Sequence, residues 1–223
     1  MTAGAVGPVL VWAAITLGVV AVIGGHRRVL IAAALLSGAA TVALAGALIV
    51  SDFSLSYVVE TTSLATPWPY RLAATWGGME GSLLFYSTLT LGIAAIALRD
   101  KAPIRVGAAV GTGLLGITAL YASPFQVMGI PAVDGQGLLA ILQHPAMVYH
   151  PPLLYLGLVT LLVPFALTVT APREGPGVPA RRTVWRWVYI SWTLLTVGMA
   201  AGANWAYVEL GWGGYWAWDP VEN

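Results

Sequence analysis

Long apolar runs alternate along this chain with short basic stretches and longer mixed ones. Six runs approach the roughly 20 mostly apolar residues that a bilayer-crossing helix needs. They cover Val6–Gly24, Val29–Val50, Gly81–Leu98, Val106–Tyr121, Pro152–Thr170 and Val188–Ala203, and the fourth is short and Gly-rich. None shows the two-residue alternation of a barrel strand. Lipid offers no partner to an unpaired backbone group, so each run is predicted as a helix. The pattern predicts an all-α integral membrane protein, a polytopic helix bundle with six transmembrane helices, forming a single membrane domain over residues 1–223.

Composition agrees with that class. The chain is 58% hydrophobic and 9% charged, with mean hydropathy +0.81, whereas soluble domains carry about 25% charged residues. A net charge of +1 gives no basis for a nucleic-acid partner; the partner it implies is membrane lipid. There is no Cys, so this chain holds no disulfide, thiolate metal site or thiol nucleophile.

Where the charges fall sets a direction. Arg27, Arg28, Arg99, Lys101, Arg105, Arg173, Arg181, Arg182 and Arg186 occupy short connections on one side, leaving Arg71 as the sole outer basic residue. The positive-inside rule puts that side in the cytoplasm and both ends of the chain outside. The outer side holds the long segments Ser51–Glu80, Ala122–Pro151 and Asn204–Asn223. Long loops carry function more often than short ones, so the functional face is predicted to be the outer one. Arg71 has two readings there, a clamp for a ligand carboxylate or a pair with Asp52, Glu60 or Glu80.

The run "DPVE", Asp219–Glu222, has the form of a helix start: Asp219 as cap, Pro220 at the first helical position and Glu222 as the capping-box acid. It predicts the start of a seventh helix at Pro220, and hence a longer protein of which this is the N-terminal part.

Before it stands "WGGYWAWDPVEN", with Trp212, Tyr215, Trp216 and Trp218 crowded among Gly211, Gly213 and Gly214. Interfacial Trp and Tyr are ordinary belt residues, and Trp12, Trp185, Trp187 and Trp192 read that way. In the terminal cluster the glycines admit something flat close to the backbone. A large, flat, mainly apolar ligand with a polar edge fits, and haem is one; it needs axial ligands, commonly His. Three histidines are available. His26 belongs to a basic turn. His150, just before Pro151 and Pro152, falls at the outer rim of the fifth span, and His144 lies six residues earlier. For both, a structural hydrogen-bonding role and a ligand role are open.

"WGGYWAWDPVEN" resembles the tryptophan-rich WWD signature of the haem-handling proteins of cytochrome c maturation, with residues 204–223 as the start of that segment. "LLAILQHPAMVYHPPLLYLG" is similar to the segment carrying a periplasmic haem-ligand histidine in the CcmF family, the haem lyase component of the bacterial system. "SDFSLSYVVETTSLATPWPYRLAATWGGMEGSLLFY" resembles that family's first long periplasmic loop. The resemblance implies a multi-pass protein of the bacterial inner membrane that acts in cytochrome c-type biogenesis. Such a protein binds the substrate haem of cytochrome c at the periplasmic face and takes part in its covalent attachment, and it also holds a haem b between two membrane histidines that do not map onto this chain. It implies that His150 ligates the iron, and that Trp212, Gly213, Gly214, Tyr215, Trp216, Trp218 and Asp219 belong to the haem-facing segment. The implied partners are a periplasmic haem chaperone, apocytochrome c and other cytochrome c maturation proteins. The sequence departs from the family pattern at Met79, where His is common, and at His144, where an acid is common.

Two rivals remain at this stage. One is a transporter or exporter of haem or another small substrate, which polar or charged residues inside the spans would favour. The other is a related haem-handling protein of nitrite-reductase maturation, differing in partner and not in core chemistry. Catalytic residues are not identified, since a lyase that aligns two reactants works by proximity.

Overall fold

The computed structural model describes residues 2–172, 177–209 and 214–215, with the backbone alone at 178–180. Its described elements are helical, apart from one isolated antiparallel bridge between Leu55 and Val127.

The first four long helices form a compact half. Helix α1 (Ala3–Gly24) turns into α2 (Arg27–Val50) through Gly25, whose φ of 65° is left-handed and whose N–H caps the Ala21 carbonyl at 2.8 Å. A Cβ there would stand 2.9 Å from both Cβ and the carbonyl oxygen of Lys101, so the turn needs glycine twice over. After α2 the chain makes two short helices, α3 (Ser56–Thr61) and α4 (Trp68–Ala73), and a 3-10 turn at Ala74–Trp76. It then re-enters the bundle as α5 (Met79–Ala97) and α6 (Lys101–Tyr121). Leu30, Leu44, Leu48, Leu84, Leu91, Leu98 and Leu115 are sealed in the core of this half.

Hydroxyls also lie between the spans. Ser37 and Thr88 share a 2.6 Å hydrogen bond and Thr41 reaches Thr88 at 2.9 Å, tying α2 to α5. These hydroxyls satisfy one another and the backbone, as is usual for polar side chains between membrane helices.

The second half holds α7 (Ala146–Thr160), α8 (Leu162–Val169) and α9 (Val178–Glu209). The described residues contain five helices long and apolar enough to cross a membrane: α1, α2, α5, α6 and the continuous α7–α8 stretch Ala146–Val169. The fifth therefore begins six residues before the predicted Pro152. The predicted sixth span, Val188–Ala203, lies within α9 but is not among the five, because Trp, Tyr and Asn dilute its hydropathy.

The two long segments predicted to face outward fold onto each other. Beside the Leu55–Val127 bridge, Ser56 N–H donates to Gln126 O at 3.0 Å and Met128 N–H to Ser54 O at 2.8 Å. Asp134 Oδ1 accepts from Leu64 N–H at 2.8 Å. Buried Phe125 fills the space over Gly7 of α1. Tyr57 donates to Ala74 O at 2.7 Å and accepts from Gly78 N–H at 3.0 Å, and its burial pushes the phenol pKa up.

Arg71 joins this cap in a way neither sequence reading foresaw. Its Nε donates to Thr66 O at 2.7 Å, Nη2 to Leu64 O at 2.9 Å and Nη1 to Ile49 O at 3.2 Å. The guanidinium gathers two loop carbonyls and one from the last turn of α2, in place of a pair with Asp52, Glu60 or Glu80.

Candidate functional site

Helix α7 begins at an unusual cap. His144 Nδ1 accepts the Ala146 N–H at 3.1 Å, satisfying one of the free amides of the first turn. An Nδ1 that accepts leaves the ring proton on Nε2, so neutral His144 has no free nitrogen for a ligand. Pro151 and Pro152 lie inside α7 and do not start it. Pro151 cannot donate to the carbonyl four residues back, that of Met147. That carbonyl is taken by the indole N–H of Trp76 at 2.8 Å, which makes good the bond that Pro151 removes. His150 consequently sits within the first turns of α7, not ahead of a span.

Two supports hold α7. On one side, the rings of Trp76 and Phe85 lie 5.2 Å apart, Phe85 and Tyr155 6.1 Å, and Tyr86 and Tyr155 5.7 Å, with Tyr155 Oη donating to Ser82 Oγ at 3.2 Å. On the other, α7 meets α9 through glycines. Leu195 packs over Gly157, where an added Cβ would lie 2.7 Å from Leu195 Cδ2. Leu154 packs over Gly198 in the same way, at 2.8 Å. Ser191 Oγ donates to Gly157 O at 2.6 Å, which requires the helices to be close. Small residues admit such approach between membrane helices.

This packing fixes His150. Its Nδ1 is 2.8 Å from Gly198 O. A carbonyl can only accept, so the proton is on Nδ1, and the lone pair of Nε2 is free in the neutral ring. Trp205 stands between the two histidines: its ring is parallel to His144 (6.1 Å, 6°) and edge-on to His150 (5.8 Å, 74°). The indole N–H of Trp205 is buried and has no hydrogen-bond partner among the described residues.

Of the predicted haem-facing residues, Trp212, Gly213, Trp216, Trp218 and Asp219 lie outside the described residues, as does the "DPVE" helix start. Gly214 and Tyr215 are described. Tyr215 stacks on Tyr207 of α9 with centroids 4.4 Å apart and planes at 10°. Tyr207 follows Trp205 by two residues, so the Tyr207–Tyr215 stack and Trp205 leave α9 in different directions. Sequence reasoning passed over Trp205 and the glycines beneath His150. A signal was present in Gly198-Met-Ala-Ala-Gly202, the small-xxx-small spacing of close helix pairs.

Five described helices long and apolar enough to cross a membrane, together with bacterial relatives, define the class: a multi-pass membrane protein, here of the bacterial inner membrane. The family model "Cytochrome C assembly protein" matches residues 76–223, and the chain belongs to that family. It is 40% identical over 191 residues to "Cytochrome c-type biogenesis protein NrfE" of Haemophilus influenzae, a match covering 81% of this chain and 30% of that protein. It is 38% identical over 193 residues to "Cytochrome c-type biogenesis protein CcmF" of Escherichia coli, covering 81% and 30%. A solved structure, "Cytochrome c Heme Lyase CcmF", superposes with a TM-score of 0.83 at 32% identity, covering all of this chain and 39% of that one. The chain thus spans about a third of the length of the relatives it matches. The CcmF and NrfE relatives are similar to it to nearly the same degree.

Proposed function

We propose that this chain supplies the first periplasmic part of a haem-handling protein of cytochrome c-type biogenesis, and that His150 is an axial ligand to its haem. The observation that carries the reading is the bond from His150 Nδ1 to Gly198 O, which leaves Nε2 as the iron-ligating atom. Metal-bound histidines commonly donate their second N–H to such a carbonyl. A haem brings four nitrogens of its own, so one well-oriented imidazole fits what this face offers. The matched relatives, by their names, act in cytochrome c-type biogenesis.

In this reading Trp212, Tyr215, Trp216 and Trp218 shelve the macrocycle, Gly213 and Gly214 let it approach the backbone, and Asp219 ends the segment by capping a seventh helix. Helix α9 crosses the membrane as a sixth span, with its aromatic residues near the two interfaces. Residues 1–223 act as one membrane domain, and residues 204–223 open the tryptophan-rich segment. Haem arrives from a periplasmic chaperone, and apocytochrome c and other maturation proteins meet the same face.

The lyase chemistry is addition of a Cys S–H of apocytochrome c across a haem vinyl group: a C–S bond forms, the thiol hydrogen goes to carbon, and no net redox occurs. Both reactants come from outside, which suits a chain without Cys. The chain's own contribution is alignment, worth several orders of magnitude in effective concentration for well-oriented groups.

The test is cytochrome c yield in cells whose full-length protein carries His150→Ala, at matched protein level. Yield falls sharply, while His144→Ala and His26→Ala leave most of it. Equal yield from His150→Ala and wild type removes His150 from the site.

A further inference from the structure

Gly202 lies one helical turn beyond Gly198 on the face of α9 that meets α7. A Cβ added there would stand 2.5 Å from Cε1 of His150, 3.0 Å from Nδ1 and 3.1 Å from Nε2. These are atoms of one rigid ring, so no terminal methyl can swing aside as a leucine's could. At the two neighbouring rungs of the same helix pair the glycine is covered by leucine: Leu195 over Gly157 and Leu154 over Gly198. The third rung, Gly202, is covered by imidazole. A leucine would serve packing as well; a histidine puts a basic nitrogen at the end of the ladder.

Three parts of α9 then hold one ring. The Gly198 carbonyl fixes the proton on Nδ1, the bare backbone at Gly202 forms the floor, and Trp205 closes a side edge-on at 5.8 Å. The carbonyl partner fixes the ring's tautomer and orientation, as second partners of metal-bound histidines do.

We propose that Gly202, with the Gly198 carbonyl, is the positioning element that presents His150 Nε2 as a haem ligand, and that residue 202 must lack a side chain for this reason. The inference rests on the reading of His150 as the ligand. Gly202 touches the ring and not the haem, so it acts through His150.

Two measurements on the full-length protein in detergent test it. The first is the tautomer of His150 without haem, from ¹⁵N-histidine NMR with the signal assigned by its loss in His150→Ala. A proton on Nδ1 is expected, although free histidine prefers Nε2; a proton on Nε2 overturns the proposal, whether or not any variant folds. The second is haem titration of wild type, His150→Ala, Gly202→Ala and Gly116→Ala; a Cβ at Gly116 meets nothing within 4 Å. Gly202→Ala is expected to weaken haem binding about ten- to a hundred-fold, the usual effect of losing an outer-shell partner, and to move the absorption bands toward those of His150→Ala. Gly116→Ala stays at wild type. If His150→Ala weakens haem and Gly202→Ala behaves like Gly116→Ala, the positioning role is wrong and the ligand stands. If His150→Ala itself binds haem like wild type, the ligand reading fails and the proposal with it.

Discussion

Trp76 donates its indole N–H to the carbonyl of Met147, 71 residues away, at 2.8 Å. It thereby occupies the acceptor that Pro151 leaves empty. Trp76→Phe keeps the ring beside Phe85 and loses the donor. An unsatisfied buried carbonyl costs about 1–3 kcal/mol, so the variant is expected to melt measurably lower in detergent. Its early α7 amides should also exchange faster with deuterium. Unchanged exchange over residues 146–150 would show that α7 holds itself.

The glycine ladder makes a sharper prediction. Gly157→Ala places a Cβ 2.7 Å from Leu195 Cδ2 and 3.1 Å from its backbone nitrogen. Overpacking of this kind costs roughly 1–3 kcal/mol. At Gly113 the added methyl meets nothing within 4 Å, so Gly113→Ala should be neutral or stabilising by up to about 1 kcal/mol from helix propensity. Thermal midpoints of the two variants decide it, and equal midpoints would mean that α7 and α9 are not closely packed.

Tyr57 is held protonated by burial, which raises its pKa above its ordinary 10.0, and its hydroxyl bridges Ala74 O and Gly78 N–H. Its folded-state pKa exceeds the unfolded one. The stability this supplies is therefore complete below pH 10 and is lost as pH rises above it, when the unfolded chain ionises first. Tyr57→Phe should melt lower at neutral pH, by about 1–3 kcal/mol for two polar groups left unpaired. It should also lose less stability than wild type between pH 9 and about 11. Parallel pH profiles for the two proteins would contradict this.

Much of the bundle was legible because lipid imposes a length and a composition on whatever crosses it. The first, second, third and fourth predicted spans fall on α1, α2, α5 and α6. The misplaced start of the fifth has a specific cause. A Pro-Pro pair ordinarily marks a helix entrance, and the bond that Pro151 removes is made good at Met147 O by a tryptophan 71 residues upstream. Arg71 was misread for a similar reason: its partners are carbonyls, which every residue has and no sequence pattern marks. His150 was singled out by its segment, but the Gly198 carbonyl, the Gly202 floor and Trp205 come from another helix. Only the Gly198-x-x-x-Gly202 spacing hinted at them.

Sidedness rests on charge and can be checked directly. Val133 is 93% exposed in the second long connecting segment, far from the basic turns. Val133→Cys in the full-length protein should react with an impermeant maleimide added to spheroplasts. Reaction only after the cytoplasmic side is opened would invert the topology and remove the periplasmic site.

The most direct measurement is chemical rescue at His150. His150→Gly removes the imidazole and leaves its place over Gly202 vacant. If His150 is the ligand, the purified full-length variant should lose the axial-ligand absorption of added haem, and millimolar imidazole should restore it, while His144→Gly loses nothing to restore. Haem that keeps its wild-type spectrum in His150→Gly without imidazole would contradict the assignment of His150 as the ligand.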